Sequence, residues 1–110
     1  MQSLIRYLIA SLILCFVAAV TTMHAQSDPA TTFKANCASC HAENGSADTS
    51  AGKAVHAKDL RSEEVQEKSA SEISEVITNG NGKMPAFGSK LSPADIKKLA
   101  AYVRTLGKEK

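Results

Sequence analysis

The sequence lacks a strong excess of charge, a hydrophobic run of membrane-spanning length and any pair of cysteines placed to staple a domain. Thirteen basic residues stand against eleven acidic ones, which excludes the strongly basic face of a nucleic-acid binder. The one long apolar stretch, Tyr7 to Val20, is broken only by Ser11 and covers 14 residues, short of the roughly 18 or more that a membrane span needs. Of the three cysteines, Cys15 lies inside that stretch, while Cys37 and Cys40 are too close together to cross-link distant parts of a fold. There is no Gly-rich phosphate loop and no internal repeat, and acidic residues are scattered rather than paired for catalysis. The length of 110 residues allows one domain.

The N-terminus differs in kind from the rest. Met1 and Arg6 place positive charge ahead of the apolar stretch, and Thr21 to Ala25 turns short and polar. That layout reads as a secretory signal over residues 1–25, cut after Ala25, with Ala19 as an alternative site. Met23 sits where a small residue is preferred, so an uncut N-terminal membrane anchor is the competing expectation. Cleavage after Ala25 leaves residues 26–110 as the mature domain. It removes Cys15 and only one charged side chain, Arg6, so the formal net charge falls from +2 to +1. A domain of 85 residues buries only about 60–65% of its unfolded surface, and domains this small often recruit a cofactor.

The spacing of apolar and capping residues predicts an all-α domain. One helix opens at Asp28-Pro29 and runs towards Cys40. A second opens at Ser69, with Glu72 completing a capping box, and places Ile73, Val76 and Ile77 on one face before stopping at Asn79-Gly80. The third carries Ser92 as N-cap, Pro93 behind it and Asp95 at the third position. Ile96, Leu99, Ala100, Val103 and Leu106 then recur at helical spacing up to Gly107. A short turn after Ser62 is a weaker fourth element. Between them, Ala42 to Ala57 and Asn79 to Leu91 read as long loops rich in small residues, and loops of this length in a small domain signal function or disorder.

Cys37-Ala38-Ser39-Cys40-His41 carries the most chemical information. Two thiols three positions apart can add to the two vinyl groups of one haem, and the histidine that follows is then directed at the iron. An export signal supplies the compartment for such attachment. Two other uses of Cys-x-x-Cys compete. A thioredoxin-like pair expects a βαβ setting, and a tetrahedral zinc site needs two further ligands, for which only His41 and His56 remain after cleavage.

Met84 is the only methionine left once Met1 and Met23 depart with the signal. It sits between Lys83 and Pro85 in a glycine-loosened loop rather than on a periodic helical face, which favours a ligand over a core filler. His56, in the small-residue loop, is the rival sixth ligand. A His41/Met84 pair closes both axial positions to substrates and gases, which leaves outer-sphere electron transfer and excludes an enzyme's open iron site.

Phe33-x-x-x-Cys37-x-x-Cys40-His41, Met84-Pro85-Ala86-Phe87 and Ala101-Tyr102-Val103 together resemble the small soluble class I cytochromes c, over essentially the whole of residues 26–110. The resemblance implies three to four short helices and long loops around one haem c, held by thioethers from Cys37 and Cys40. It also implies that the first and last helices cross, with Phe33 and Tyr102 packed together there. The sequence departs from the family pattern in three places. Ala42 stands where glycine commonly follows the haem histidine, Ala30 to Thr32 lacks the glycine of the crossing, and no proline between His41 and Met84 supplies a carbonyl for the histidine ring. A ligating imidazole normally donates its second N–H, and the Lys58-Asp59-Leu60 region is the expected source of the acceptor.

The resulting expectation is a monomeric, periplasmic or lumenal carrier that exchanges electrons with exported or membrane oxidoreductases and binds no small-molecule substrate. The alternatives are a haem c subunit of an exported dehydrogenase or oxidase, and a haem sensor if the sixth ligand is labile. Lys34, Lys53, Lys58, Lys83 and Lys90 are the cations available to ring the haem edge.

Overall fold

Six short helices and a closing 3-10 turn follow one another along the domain, and among the described residues there is no strand. The computed structural model describes residues 1–8 and 27–109. Residues 2–8 are helical, with Leu4, Ile5, Tyr7 and Leu8 exposed. The expected cuts at Ala19 and Ala25, together with Cys15 and Met23, lie outside the described residues. No described helix is long and apolar enough to cross a membrane.

Helix α1, Pro29–Asn36, begins as its sequence requires: the Asp28 carboxylate accepts the Thr31 N–H at 3.0 Å and Pro29 takes the first position. It does not continue smoothly to Cys40. Cys37 departs from helical geometry at φ −118°, and a separate single turn, α2, follows over Ala38–His41. Helix α3, Ser50–Val55, lies within the stretch expected to be loop. Thr49 caps its start, and His56 ends it in the left-handed conformation at φ 56°. Helix α4, Glu63–Gln66, is the short turn expected after Ser62. The two helices beyond the three to four expected are α2 and α3, each too short to show a 3.6-residue period.

Helix α5, Ala70–Asn79, has both bonds of its capping box. Glu72 Oε2 accepts the Ser69 N–H at 2.7 Å, and Ser69 Oγ accepts the Glu72 N–H at 3.1 Å. Helix α6, Pro93–Leu106, buries all five of its periodic residues. It packs against both α1 and α5. Where it meets α1, the Phe33 and Tyr102 rings lie 5.3 Å apart, tilted by 56°, within the range in which an aromatic pair adds to simple burial. In the Ala30 to Thr32 stretch that lacks the family's glycine, Thr32 is buried and its hydroxyl donates to the Asp28 carbonyl.

The core is one cluster, with Phe33, Leu99, Ala100 and Leu106 at 2% exposure or less. Each fully buried large side chain of this kind contributes about 1.5–3 kcal/mol. The ion pairs Lys34–Glu43, Lys53–Asp48 and Lys58–Glu64 lie on the surface, where such pairs contribute about 0–1 kcal/mol. Burial therefore decides the fold, and the scaffold that carries α2 is the α1–α5–α6 packing.

Candidate functional site

Helix α2 places two thiols and an imidazole on a single turn. Cys37 is its N-cap and Cys40 and His41 are its last residues. Both cysteines are free and half-buried. Burial pushes the Cys37 thiol up to about 11, against the opposing pull of the Lys90 ammonium. That upward push sets Cys37 apart from the low-pKa cysteine of a redox-active pair.

The His41 ring is fixed from outside the helix. Its Nδ1 lies 2.9 Å from the Lys58 carbonyl oxygen. A carbonyl can only accept, so Nδ1 donates, and Nε2 is the ring nitrogen left to ligate a metal. The acceptor thus falls within the expected Lys58-Asp59-Leu60 region, with backbone doing what a proline carbonyl does elsewhere. Asp59 then turns the chain by accepting the Arg61 backbone N–H at 2.9 Å and both arms of its guanidinium at 3.0 Å.

Immediately after His41, Ala42 has φ 63° and ψ 160°, a region that only glycine enters without strain. The chain needs this conformation to leave α2, which gives the departure from the family's glycine a structural cost.

Met84 is held by its own turn. Asn81 and Met84 exchange backbone hydrogen bonds of 3.1 and 2.9 Å, with Gly82 at φ 56° in the first central position, as a tight II′ turn requires. Gly80, at φ 74°, lies under the following chain. A Cβ there would fall 2.7 Å from the Met84 carbonyl oxygen and 2.9 Å from the Ala86 nitrogen. Beyond it, the Phe87 and Gly88 N–H groups donate to the Ile77 and Thr78 carbonyls at the end of α5. Met84 is half-buried and packs on the same core cluster as Cys37, and Lys90, from the end of this loop, is close enough to act on the Cys37 thiol.

His56 stands apart. It is exposed and lines a shallow cleft with Ser46, Asp48 and Lys53, and none of Cys37, Cys40, His41 or Met84 lines that cleft. Among the described residues no group of three or more His, Cys, Asp or Glu side chains could hold a metal ion. The donor set instead fits haem c: two free thiols one turn apart, an imidazole whose Nδ1 is engaged by the Lys58 carbonyl, and a thioether in a tight turn that packs on the same core cluster as Cys37.

Three of the five lysines expected around the site are paired with acids. Lys34 meets Glu43 at 3.0 Å, Lys53 meets Asp48 at 2.6 Å and Lys58 meets Glu64 at 3.0 Å. Lys58 holds the Glu64 carboxyl below its usual range. Lys90 lies 5.8 Å from the centre of the Phe87 ring, and Lys83 flanks Met84 on an exposed turn.

A protein-family model for subunit III of cbb3-type cytochrome c oxidase matches residues 24–103. The chain is 44% identical over 76 residues to the cbb3-type cytochrome c oxidase subunit FixP of Azorhizobium caulinodans, covering 68% of this chain and 25% of that protein. It is 39% identical over 80 residues to cytochrome c6 of Synechococcus, covering 70% of this chain and 66% of that protein. The chain thus spans a quarter of FixP and just under two thirds of the Synechococcus cytochrome. Among solved structures, the KustC0563 c-type cytochrome superposes with a TM-score of 0.67 at 29% identity, over 73% of this chain and 98% of that one.

Proposed function

The chain belongs to the small class I c-type cytochromes, and from that premise we propose that it carries single electrons between redox proteins through one haem c, attached at Cys37 and Cys40 and ligated by His41 and Met84. Bound there, the haem would supply a one-electron iron couple. The observation that carries the reading is the 2.9 Å approach of His41 Nδ1 to the Lys58 carbonyl. It engages Nδ1 as a donor and leaves Nε2 as the nitrogen for a metal, as in a metal-ligating imidazole.

The remaining residues have the roles of a carrier rather than an enzyme. The Asn81–Met84 turn and Gly80 hold the thioether against a tight backbone, and Phe87 and the α1–α6 crossing exclude water from behind the site. Lys83 and Lys90 leave positive charge on the loop that carries Met84, while Lys34, Lys53 and Lys58 are paired with acids. An exposed charge beside an electron-transfer edge raises the rate of encounter with an oppositely charged redox partner. The leader layout of residues 1–25 supports export to a periplasmic or lumenal compartment.

A second reading has its own support. The match to an oxidase-subunit family and to FixP favours a haem c subunit bound to a larger oxidoreductase. Purification of the tagged protein from a host competent in cytochrome c maturation separates the two. A carrier emerges as a free monomer with one covalent haem per chain by mass. A subunit brings its catalytic partner with it, and a colourless product contradicts both.

A further inference from the structure

We propose that Thr49 is a positioning residue for His41, an inference that rests on the His41-ligated haem reading above. Helix α2 is a single turn, so its four carbonyls are the ones that a helix C-terminus leaves without intrahelical partners. Ala38 O is met by the Ala42 N–H at 2.9 Å, and the rest are met by one short segment of the following loop. The Ala47 N–H donates to His41 O at 2.7 Å. The Thr49 hydroxyl donates to Ser39 O at 2.7 Å, with Cys40 O a secondary acceptor at 3.3 Å. The same oxygen accepts the Gly52 N–H at 2.8 Å and so caps α3.

Gly52 makes this arrangement close. A Cβ at that position would collide with the Cys40 carbonyl oxygen and lie 2.6 Å from that of Ala47. Thr49 thus couples two helices with one hydroxyl, its proton spent on α2 and its lone pair on α3. His41 is then held at both ends: its ring by the Lys58 carbonyl, and the backbone just before it by Thr49. Removing the hydroxyl leaves the Ser39 and Cys40 carbonyls without their donor beside the ligand. Their uncompensated negative ends, and the freer last turn of α2, favour the oxidised, more positive iron, so the reduction potential falls.

The test uses the haem-loaded protein and three substitutions. Thr49→Val removes donor and acceptor at nearly constant volume, Thr49→Ser retains the hydroxyl, and Ser69→Ala removes the cap of α5, outside the candidate site. The expected result for Thr49→Val is an equilibrium constant for reduction lowered threefold or more, about 28 mV for a one-electron couple, with altered ferric EPR g-values. Thr49→Ser should restore both, and Ser69→Ala should lower the melting temperature while leaving both unchanged. An unchanged potential and EPR spectrum in Thr49→Val, whatever its stability, overturns the proposal. So does an equal shift in Ser69→Ala, because the potential would then merely follow stability. Should the valine variant fail to mature, Thr49→Ala carries the same comparison. A wild-type protein without covalent haem overturns the underlying reading instead, and that outcome is visible before any substitution is made.

Discussion

The Nδ1 atom of His41 lies 2.9 Å from the carbonyl oxygen of Lys58, 17 residues further along the chain. This hydrogen bond links the cysteine-bearing turn to the Lys58-Asp59-Leu60 region, where an acceptor for the ring was expected. It determines which ring nitrogen is available to a metal. It also gives the segment between the two axial candidates a role that side-chain identity alone does not reveal.

His41 and Met84 have separable roles under this reading. His41→Ala should abolish stable six-coordinate haem while leaving the two thioether sites. Met84→Ala should keep covalent haem but open the iron to carbon monoxide. Absorption spectra of the reduced variants with and without carbon monoxide check both. A Met84→Ala protein that stays closed through a native side chain would point to His56.

Ala42→Gly should stabilise the protein by about 1 kcal/mol. The φ of 63° with ψ of 160° costs a non-glycine residue of order 1–3 kcal/mol, and glycine gives back roughly 0.5–1 kcal/mol in unfolded-state entropy. Denaturant unfolding measures the difference. No gain would mean that the strain at the exit of α2 is relieved by the surrounding loop.

The acid limb of the stability curve should contain a contribution from Glu72. The Ser69 backbone and then its hydroxyl, both hydrogen-bonded to the carboxylate, hold it below its usual range. A carboxylate lowered in the folded state stabilises at pH above its unfolded value, and that stabilisation is lost as the pH falls through the lowered value. Glu72→Gln should therefore be less stable than the parent at neutral pH and converge with it in acid. Thermal melts from neutral pH to pH 3 test the convergence.

Phe33→Ala should cost about 3–5 kcal/mol, because the ring is 2% exposed and packs on Tyr102. Lys34→Ala, next to it in sequence, breaks only an exposed ion pair with Glu43 and should cost about 0–1 kcal/mol. Comparing the two by urea unfolding separates burial from charge as the source of the α1–α6 crossing.

Helices α1, α5 and α6 were legible because their caps are explicit: Asp28-Pro29, Ser69 with Glu72, and Ser92-Pro93. The periodic Ile96, Leu99, Ala100, Val103 and Leu106 all went inside. Helix α3 was not legible, since Ser50-Ala51-Gly52-Lys53-Ala54-Val55 has one large aliphatic and thus no period to read. Its signal lay in Thr49, a good N-cap, and in Gly52, whose missing Cβ lets the helix approach Cys40. The break at Cys37 was equally hidden, because nothing in the residue type demands it. The motif showed which donors were present. The acceptor for His41 was readable only as a region, because it is a backbone carbonyl and carbonyls leave no mark in a sequence.

The most direct measurement is an absorption spectrum of the exported protein, oxidised and reduced, before and after carbon monoxide. The expected result is a c-type spectrum with methionine-ligation features in the oxidised form and no change on adding the gas. A reduced spectrum that shifts with carbon monoxide would show an accessible iron and contradict the closed His41/Met84 carrier.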